Sequence, residues 1–215
     1  MLETAGPTLQ ARPEPVRHES FADFEIELAE TGAGRGIALV LDGSGECRAN
    51  PRCRYMARVL RERGLDTALF DFCGTGDGPP PHRTLTKAVE WVKESLPETP
   101  VGLLGVERGA VAAIGAAFFG SVDALVLHGS LEGSLDPDFS RLAVPTLMIV
   151  GSRDTDAIKS ARTALERMVG GAKRLEIVPG TNGRFDEPGT LAAASLHAAH
   201  WFGRAFSRVA FASVR

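Results

Sequence analysis

Three absences bound what this chain can be. It has three cysteines in 215 residues, too few and too scattered for a disulfide scaffold or a four-ligand zinc site. A reducing, cytoplasmic setting is the expectation that follows. It has no apolar run approaching the roughly 18 residues of a membrane-spanning helix. Its first residues, Met1 to Pro15, are polar and contain prolines, without the apolar core of a signal peptide. It also lacks an excess of positive charge: 24 basic and 27 acidic residues leave a net charge of −3, whereas phosphate-backbone binding needs a clustered positive excess. Neither a membrane nor a nucleic acid is therefore expected as a partner.

What is present is ordinary globular composition, 44% hydrophobic residues with 24 glycines, enough to bury a core. The length suits one domain. Residues 1–18 read as a loose tail and residues 19–215 as a single domain. Phe24, Ile26 and Leu28 alternate with Glu25 and Glu27, the period of a half-exposed strand. Beyond them, apolar runs of strand length (37–41, 67–72, 101–106, 124–127, 145–150 and 175–178) alternate with helical patterns over 51–63, 85–96, 108–119, 156–169 and 190 to about 206. This alternation predicts an α/β protein, with a mainly parallel sheet of about six or seven strands and helices on both faces. The stretch between His128 and Val144 is too short for a large lid, and Leu131 to Asp138 gives at most one helical turn. In such sheets ligands bind beyond the carboxyl ends of the strands, which directs attention to the residues after Leu41, Phe72, Val106, Leu127, Val150 and Val178.

The third of the buried runs ends in Gly105-Val106-Glu107-Arg108-Gly109 and leads straight into a small-residue helix. This is the G-x-S-x-G nucleophile-elbow pattern with Glu107 in the serine position. With that context the chain, from about Gly36 to Phe202, resembles the α/β-hydrolase fold and more narrowly the dienelactone-hydrolase-like group. Asp42-Gly43-Ser44-Gly45 and the arginines that follow, Arg48, Arg52 and Arg54, resemble that group's loop after the first core strand, which usually opens with His-Gly-Ser-Gly. Gly151-Ser152-Arg153-Asp154 resembles the segment that supplies the triad acid. The segment from Pro179 to Gly189 resembles the one that supplies the triad histidine. The resemblance implies the fold and the place of the pocket. The departures lie at the chemistry: Glu107 at the nucleophile position, Gly183 preceded by Asn182 at the histidine position, Asp42 for the loop's leading histidine. Only Asp154 keeps the expected identity. Serine hydrolysis needs a hydroxyl and an imidazole to take and return its proton.

Three readings of Glu107 stand: a remnant in a degenerate pocket, a general acid or base in a non-hydrolytic reaction, or a covalent nucleophile. Asp154 reads as a leftover orienter or as the N-cap of the helix after it. His128 follows a core strand on the ligand side, and is either a partner of Glu107 or a hydrogen-bonded core histidine. Arg48, Arg52 and Arg54 either hold an anionic ligand group or pair internally with Glu46, Glu107 or Asp42. The backbone from Gly43 to Gly45 and the N–H of Arg108 are where an oxyanion hole would form. Cys47 and Cys73 follow core strands, where a displaced thiol nucleophile would lie; Cys53 sits in the helix start. His197 and His200 lack a third ligand and read as packing or surface residues, so no metal site is expected. Asp71 to Gly78 lacks G-x-G-x-x-G spacing and reads as a long loop. Phe206 and Phe211 read as a contact surface.

Together these residues point to a degenerate α/β-hydrolase, a small-molecule-binding pseudohydrolase without serine chemistry. Asp42, Gly43, Ser44, Arg48, Arg108 and Asn182 would line its ligand site, and no cofactor is implied. The alternative is an enzyme of isomerase, cyclase, lyase or hydratase type using Glu107, with His128 or Asp154, as acid and base. A third reading is a structural or protein-binding module with its pocket filled.

Overall fold

The computed structural model describes residues 15–73, 80–119, 122–129 and 139–212, with side chains described to residue 210. Chain order is β1 (Val16–Ser20), β2 (Phe24–Ala29), β3 (Ile37–Asp42), α1 (Pro51–Glu62), β4 (Asp66–Phe72), α2 (Pro81–Ser95), β5 (Val101–Val106), α3 (Gly109–Phe119), β6 (Ala124–His128), a 3-10 turn at Phe139–Arg141, β7 (Thr146–Gly151), α4 (Thr155–Arg167), β8 (Lys173–Val178) and α5 (Thr190–Ala212). The eight strands form one sheet in the order β1-β2-β4-β3-β5-β6-β7-β8. β1, β2 and β4 pair antiparallel, and every other neighbour is parallel.

Each parallel strand is apolar on both sides because helices cover both faces. α2, α3 and α4 pack on one face, against Leu39, Leu103 and Leu125 among others. α1 and α5 pack on the other, against Val40, Leu104 and Val126. Adjacent residues of one strand thus enter opposite cores, the period-2 rule of strands. β2 alternates as its sequence predicts, with Ile26 and Leu28 buried and Glu25 and Glu27 half-buried.

Two features depart from the expected outline. The sheet has eight strands, and the tail boundary placed at residue 18 falls inside β1. All five residues of β1 are exposed, so no apolar period marks the strand. Its antiparallel ladder to β2 and an Arg17–Glu30 ion pair at 2.8 Å hold it. Phe206, expected on a contact surface, is buried (1% exposed) and stacks with Phe202 at 5.5 Å on the core-facing side of α5. The side chain of Phe211, the segment 1–14, and the residues 74–79 and 130–138 that carried the glycine-rich loop and the possible helical turn lie outside the described residues.

The order places a switch point between β3 and β5: from β3 the chain crosses to β4 on one side, and β5 lies on the other. A crevice opens at the carboxyl ends of strands flanking such a point. Asp42, Val106 and His128 are register partners across β3, β5 and β6, so the three strand ends reach the crevice level with one another.

Candidate functional site

The turn from β5 into α3 is as sharp as the sequence pattern demands. A Cβ at Gly105 would lie 2.6 Å from Ala110 Cα, and one at Gly109 would lie 2.6 Å from the Leu41 carbonyl oxygen. Only hydrogen fits at both places. Glu107 sits at the tip with φ +50°, a left-handed conformation that disfavours a side-chain-bearing residue by about 1–2 kcal/mol. Its N–H donates to the His128 carbonyl at 2.8 Å, which ties the elbow to β6.

The Glu107 side chain is 44% exposed, so its charge keeps part of its hydration. Its Oε1 accepts a hydrogen bond from an Arg52 guanidinium N–H at 3.1 Å. Arg52 is presented by the first turn of α1, which Asn50 caps by accepting from Arg52 N at 2.9 Å. A second guanidinium nitrogen of Arg52 donates to the Arg184 carbonyl oxygen, while its buried Nε has no partner among the described residues. A pair this exposed contributes about 0.2–1 kcal/mol.

A cavity of about 170 Å³ lies beside the elbow, walled by Asp42, Gly43, Ser44, Arg52, Glu107 and Arg108. Asp42 is 5% exposed and its carboxylate is fully engaged. Oδ1 accepts from Ser44 N at 3.0 Å and Ser44 Oγ at 2.7 Å. Oδ2 accepts from Asn50 Nδ2 at 2.8 Å and from the Cys53 thiol at 3.7 Å. Asp42 thereby fastens the end of β3 to the start of α1, and it draws inward the Ser44 amide of the loop expected to form an oxyanion hole. Arg108, by contrast, is exposed and has no carboxylate partner among the described residues.

The other arginines pair within the chain. Arg48 donates to Asp71 at 2.7 Å and to Glu25. Arg54 makes two bonds to Glu27 at 3.1 and 2.9 Å. Asp154 is the N-cap of α4, accepting from Ala157 N at 2.9 Å. Asn182 is exposed and its Oδ1 accepts from Arg184 N at 2.9 Å, inside its own loop. Gly183 does lie close to the elbow: a Cβ on Gly129 would be 3.2 Å from the Gly183 carbonyl oxygen and 3.4 Å from Glu107 Cγ. The loop is anchored by Arg153 N donating to Thr181 O at 2.8 Å and by the Thr181 hydroxyl donating to Glu187. That bond leads the influences holding the Glu187 carboxyl below its usual range.

His128 is 1% exposed. Its ring lies 4.2 Å from that of Phe185, and neither ring nitrogen has a hydrogen-bond partner among the described residues. Burial, reinforced by the Arg52 charge, pushes its pKa down to about 3. The contact with Glu107 runs through the backbone, and no side-chain hydrogen bond joins the two.

One cluster escaped the sequence. Cys47 and Cys53, six residues apart, converge with Asp42 so that their ligating atoms lie within 4.8 Å of one another. The signal was spacing across a helix start, legible only once the loop's path was known. The set suits hydrogen-bonded thiols better than a metal. Burial pushes the Cys47 thiol up, which opposes thiolate ligation, and the Asp42 oxygens already have donors. His197 lies 3.6 Å from Glu176, and no group of three ligands among the described residues includes it or His200.

The sheet order, the elbow at the switch point and helices on both faces define an α/β-hydrolase-fold protein. A dienelactone hydrolase is among the solved structures that share this fold. The chain superposes on the dienelactone hydrolase of Anabaena variabilis ATCC 29413 with a TM-score of 0.78 and 29% identity, covering 90% of this chain and 98% of that one. An α/β serine hydrolase without lid from Xanthomonas campestris matches at TM-score 0.67 and 20% identity, over 92% of this chain and 96% of that one. No protein-family model matches. Two Mycobacterium tuberculosis proteins (strains CDC 1551 / Oshkosh and H37Rv), provisionally named phosphoribosyl transferases, are 33% identical over 183 residues, 78% of this chain. The matched segment is 41% of their length, so this chain spans about two fifths of those relatives. No helix among the described residues is long and apolar enough to cross a membrane.

Proposed function

We propose that this chain does not cleave esters through a serine, and that the cavity beside Glu107 holds a small ligand carrying an anionic group. The observation that carries this is the residue at the elbow tip, a carboxylate in a left-handed conformation where the G-x-S-x-G pattern places a hydroxyl. Serine hydrolysis needs hydroxyl and imidazole in register. The loop expected to bring the imidazole brings Asn182 and Gly183 instead. His128, at the adjoining strand end, has its ring buried against Phe185. The guanidinium of Arg108, without a carboxylate partner among the described residues, offers the anionic group a partner.

A second reading, acid-base chemistry of isomerase, cyclase, lyase or hydratase type through Glu107, is favoured by the exposure of its carboxylate to the cavity. The Arg52 pair and partial hydration already account for that charge, so ligand holding remains the preferred reading. We assign the transferase name of the Mycobacterium tuberculosis relatives to the portion of them outside the matched segment.

The test is turnover of p-nitrophenyl acetate and a dienelactone by the wild type and Glu107→Gln side by side. Both should stay at background. Turnover by the wild type that Glu107→Gln abolishes would replace this reading with the second. Labelling of an elbow-region residue by a fluorophosphonate would overturn both.

A further inference from the structure

Another cavity of about 170 Å³ lies at the opposite end of the strands, at the amino ends of β7 and β8 under α5. Its apolar walls are Pro145, Ala172, Ala205 and the half-buried indole of Trp201. The Trp201 Nε1–H donates to the Pro145 carbonyl at 3.4 Å, a long hydrogen bond. Arg174, Arg204, Arg208 and Lys173 ring the mouth, a local positive excess on a chain of net charge −3.

The four cations are not equivalent. The Lys173 ammonium donates to the Leu165 and Met168 carbonyls at 2.7 and 2.8 Å, and so closes the end of α4. Arg174 shares one N–H with Glu176 at 2.5 Å, leaving the rest of its fork. Arg204 and Arg208, one turn apart on α5 and both exposed, have no acidic partner among the described residues. Like charges at i and i+4 repel, and an anion between them relieves that repulsion.

We propose that this cavity binds a nucleoside phosphate, with the base against Trp201 and the phosphate on Arg204, Arg208 and Arg174. Guanidinium forks match phosphate oxygens two at a time. An indole face stacks on a flat heterocycle. The volume suits a single ring system with its charged end outside on the rim, and not a larger ligand wholly enclosed. The strand ends concerned are the amino ends, opposite to the carboxyl ends that carry Glu107, so the site stands independently of the proposed function.

The chain has two tryptophans, and Trp91 packs against Phe21 away from this cavity. Trp91→Phe therefore leaves Trp201 as the sole reporter, and titration calorimetry on the unaltered chain repeats the measurement without that substitution. ADP should quench Trp201 saturably. Arg204→Ala/Arg208→Ala should weaken binding about tenfold or more at an unchanged melting temperature, and adenosine or inorganic pyrophosphate alone should each bind about tenfold more weakly than ADP. No saturable signal at millimolar ADP overturns the proposal, as does a folded double variant that binds like the parent. Pyrophosphate binding as tightly as ADP reduces the site to an inorganic-anion patch. A response only to vesicles of anionic lipid puts a membrane surface in the nucleotide's place.

Discussion

At Glu107 the backbone and the side chain are held by different neighbours. The left-handed turn is imposed by the close passage of β5, α3 and the end of β3, while the carboxylate is answered by Arg52. His128 is the residue of the site whose ionisation the fold most plainly opposes. Its imidazole titrates near 6.5 in an unfolded chain and near 3 when buried beside Arg52. Below pH 6.5 the unfolded state takes up a proton that the native state refuses, so stability present above 6.5 is lost as pH falls toward 3. The loss should reach about 2 kcal/mol between about pH 7 and 5, at up to about 1.4 kcal/mol per pH unit. Glu187, whose carboxyl is held below its usual 4.5, loses its contribution only as pH falls through that value and below. Urea midpoints of wild type and His128→Leu at the two pH values provide the check. The variant should be nearly flat, and an equal decline in both would show that His128 is not the source.

Among the elements, the elbow is the least tolerant. Gly105→Ala places a methyl 2.6 Å from the Ala110 backbone, which only a shift of α3 against β5 can relieve. The expected destabilisation is about 1–3 kcal/mol, a fall in melting temperature of about 2–4 °C per kcal/mol for a chain of this size. Gly203→Ala in α5 meets nothing within 4 Å and should stabilise by about 0.5–1 kcal/mol through helix propensity. If thermal melts rank the two variants the other way, the close β5–α3 contact is not what the elbow depends on. The central strands and the five helices were legible from periodicity, because burial on both faces leaves unbroken apolar runs and amphipathic helices leave a 3.6-residue stripe. β1 was not legible: Val16–Ser20 is held by its ladder to β2, and hydrogen bonds between backbones leave no mark on side-chain pattern.

At the scale of the whole molecule, a cavity around a carboxylate–guanidinium pair lies at the carboxyl ends of the central strands, and one ringed by arginines lies at the amino ends of β7 and β8. The Mycobacterium tuberculosis relatives extend well beyond the segment matched here. If their transferase name belongs to that remainder, this chain alone should release no pyrophosphate from phosphoribosyl pyrophosphate with any purine or pyrimidine base. Release above background in a coupled phosphate assay would return the activity to the hydrolase-fold segment.

By itself the sequence determined the α/β class, the strand and helix succession, the elbow with Glu107 at its tip and the absence of histidine at Gly183, since each rests on local pattern and spacing. The tertiary structure decided which charges meet. Asp42 turned out to be consumed by Ser44, Asn50 and Cys53, Arg52 to face Glu107, and Arg48 and Arg54 to face carboxylates on β2 and β4. It also buried Phe206 on the core-facing side of α5 and gathered Trp201 with Arg174 and Arg204. Pairing between charges depends on distance in space, which sheet order sets and residue order along the chain does not.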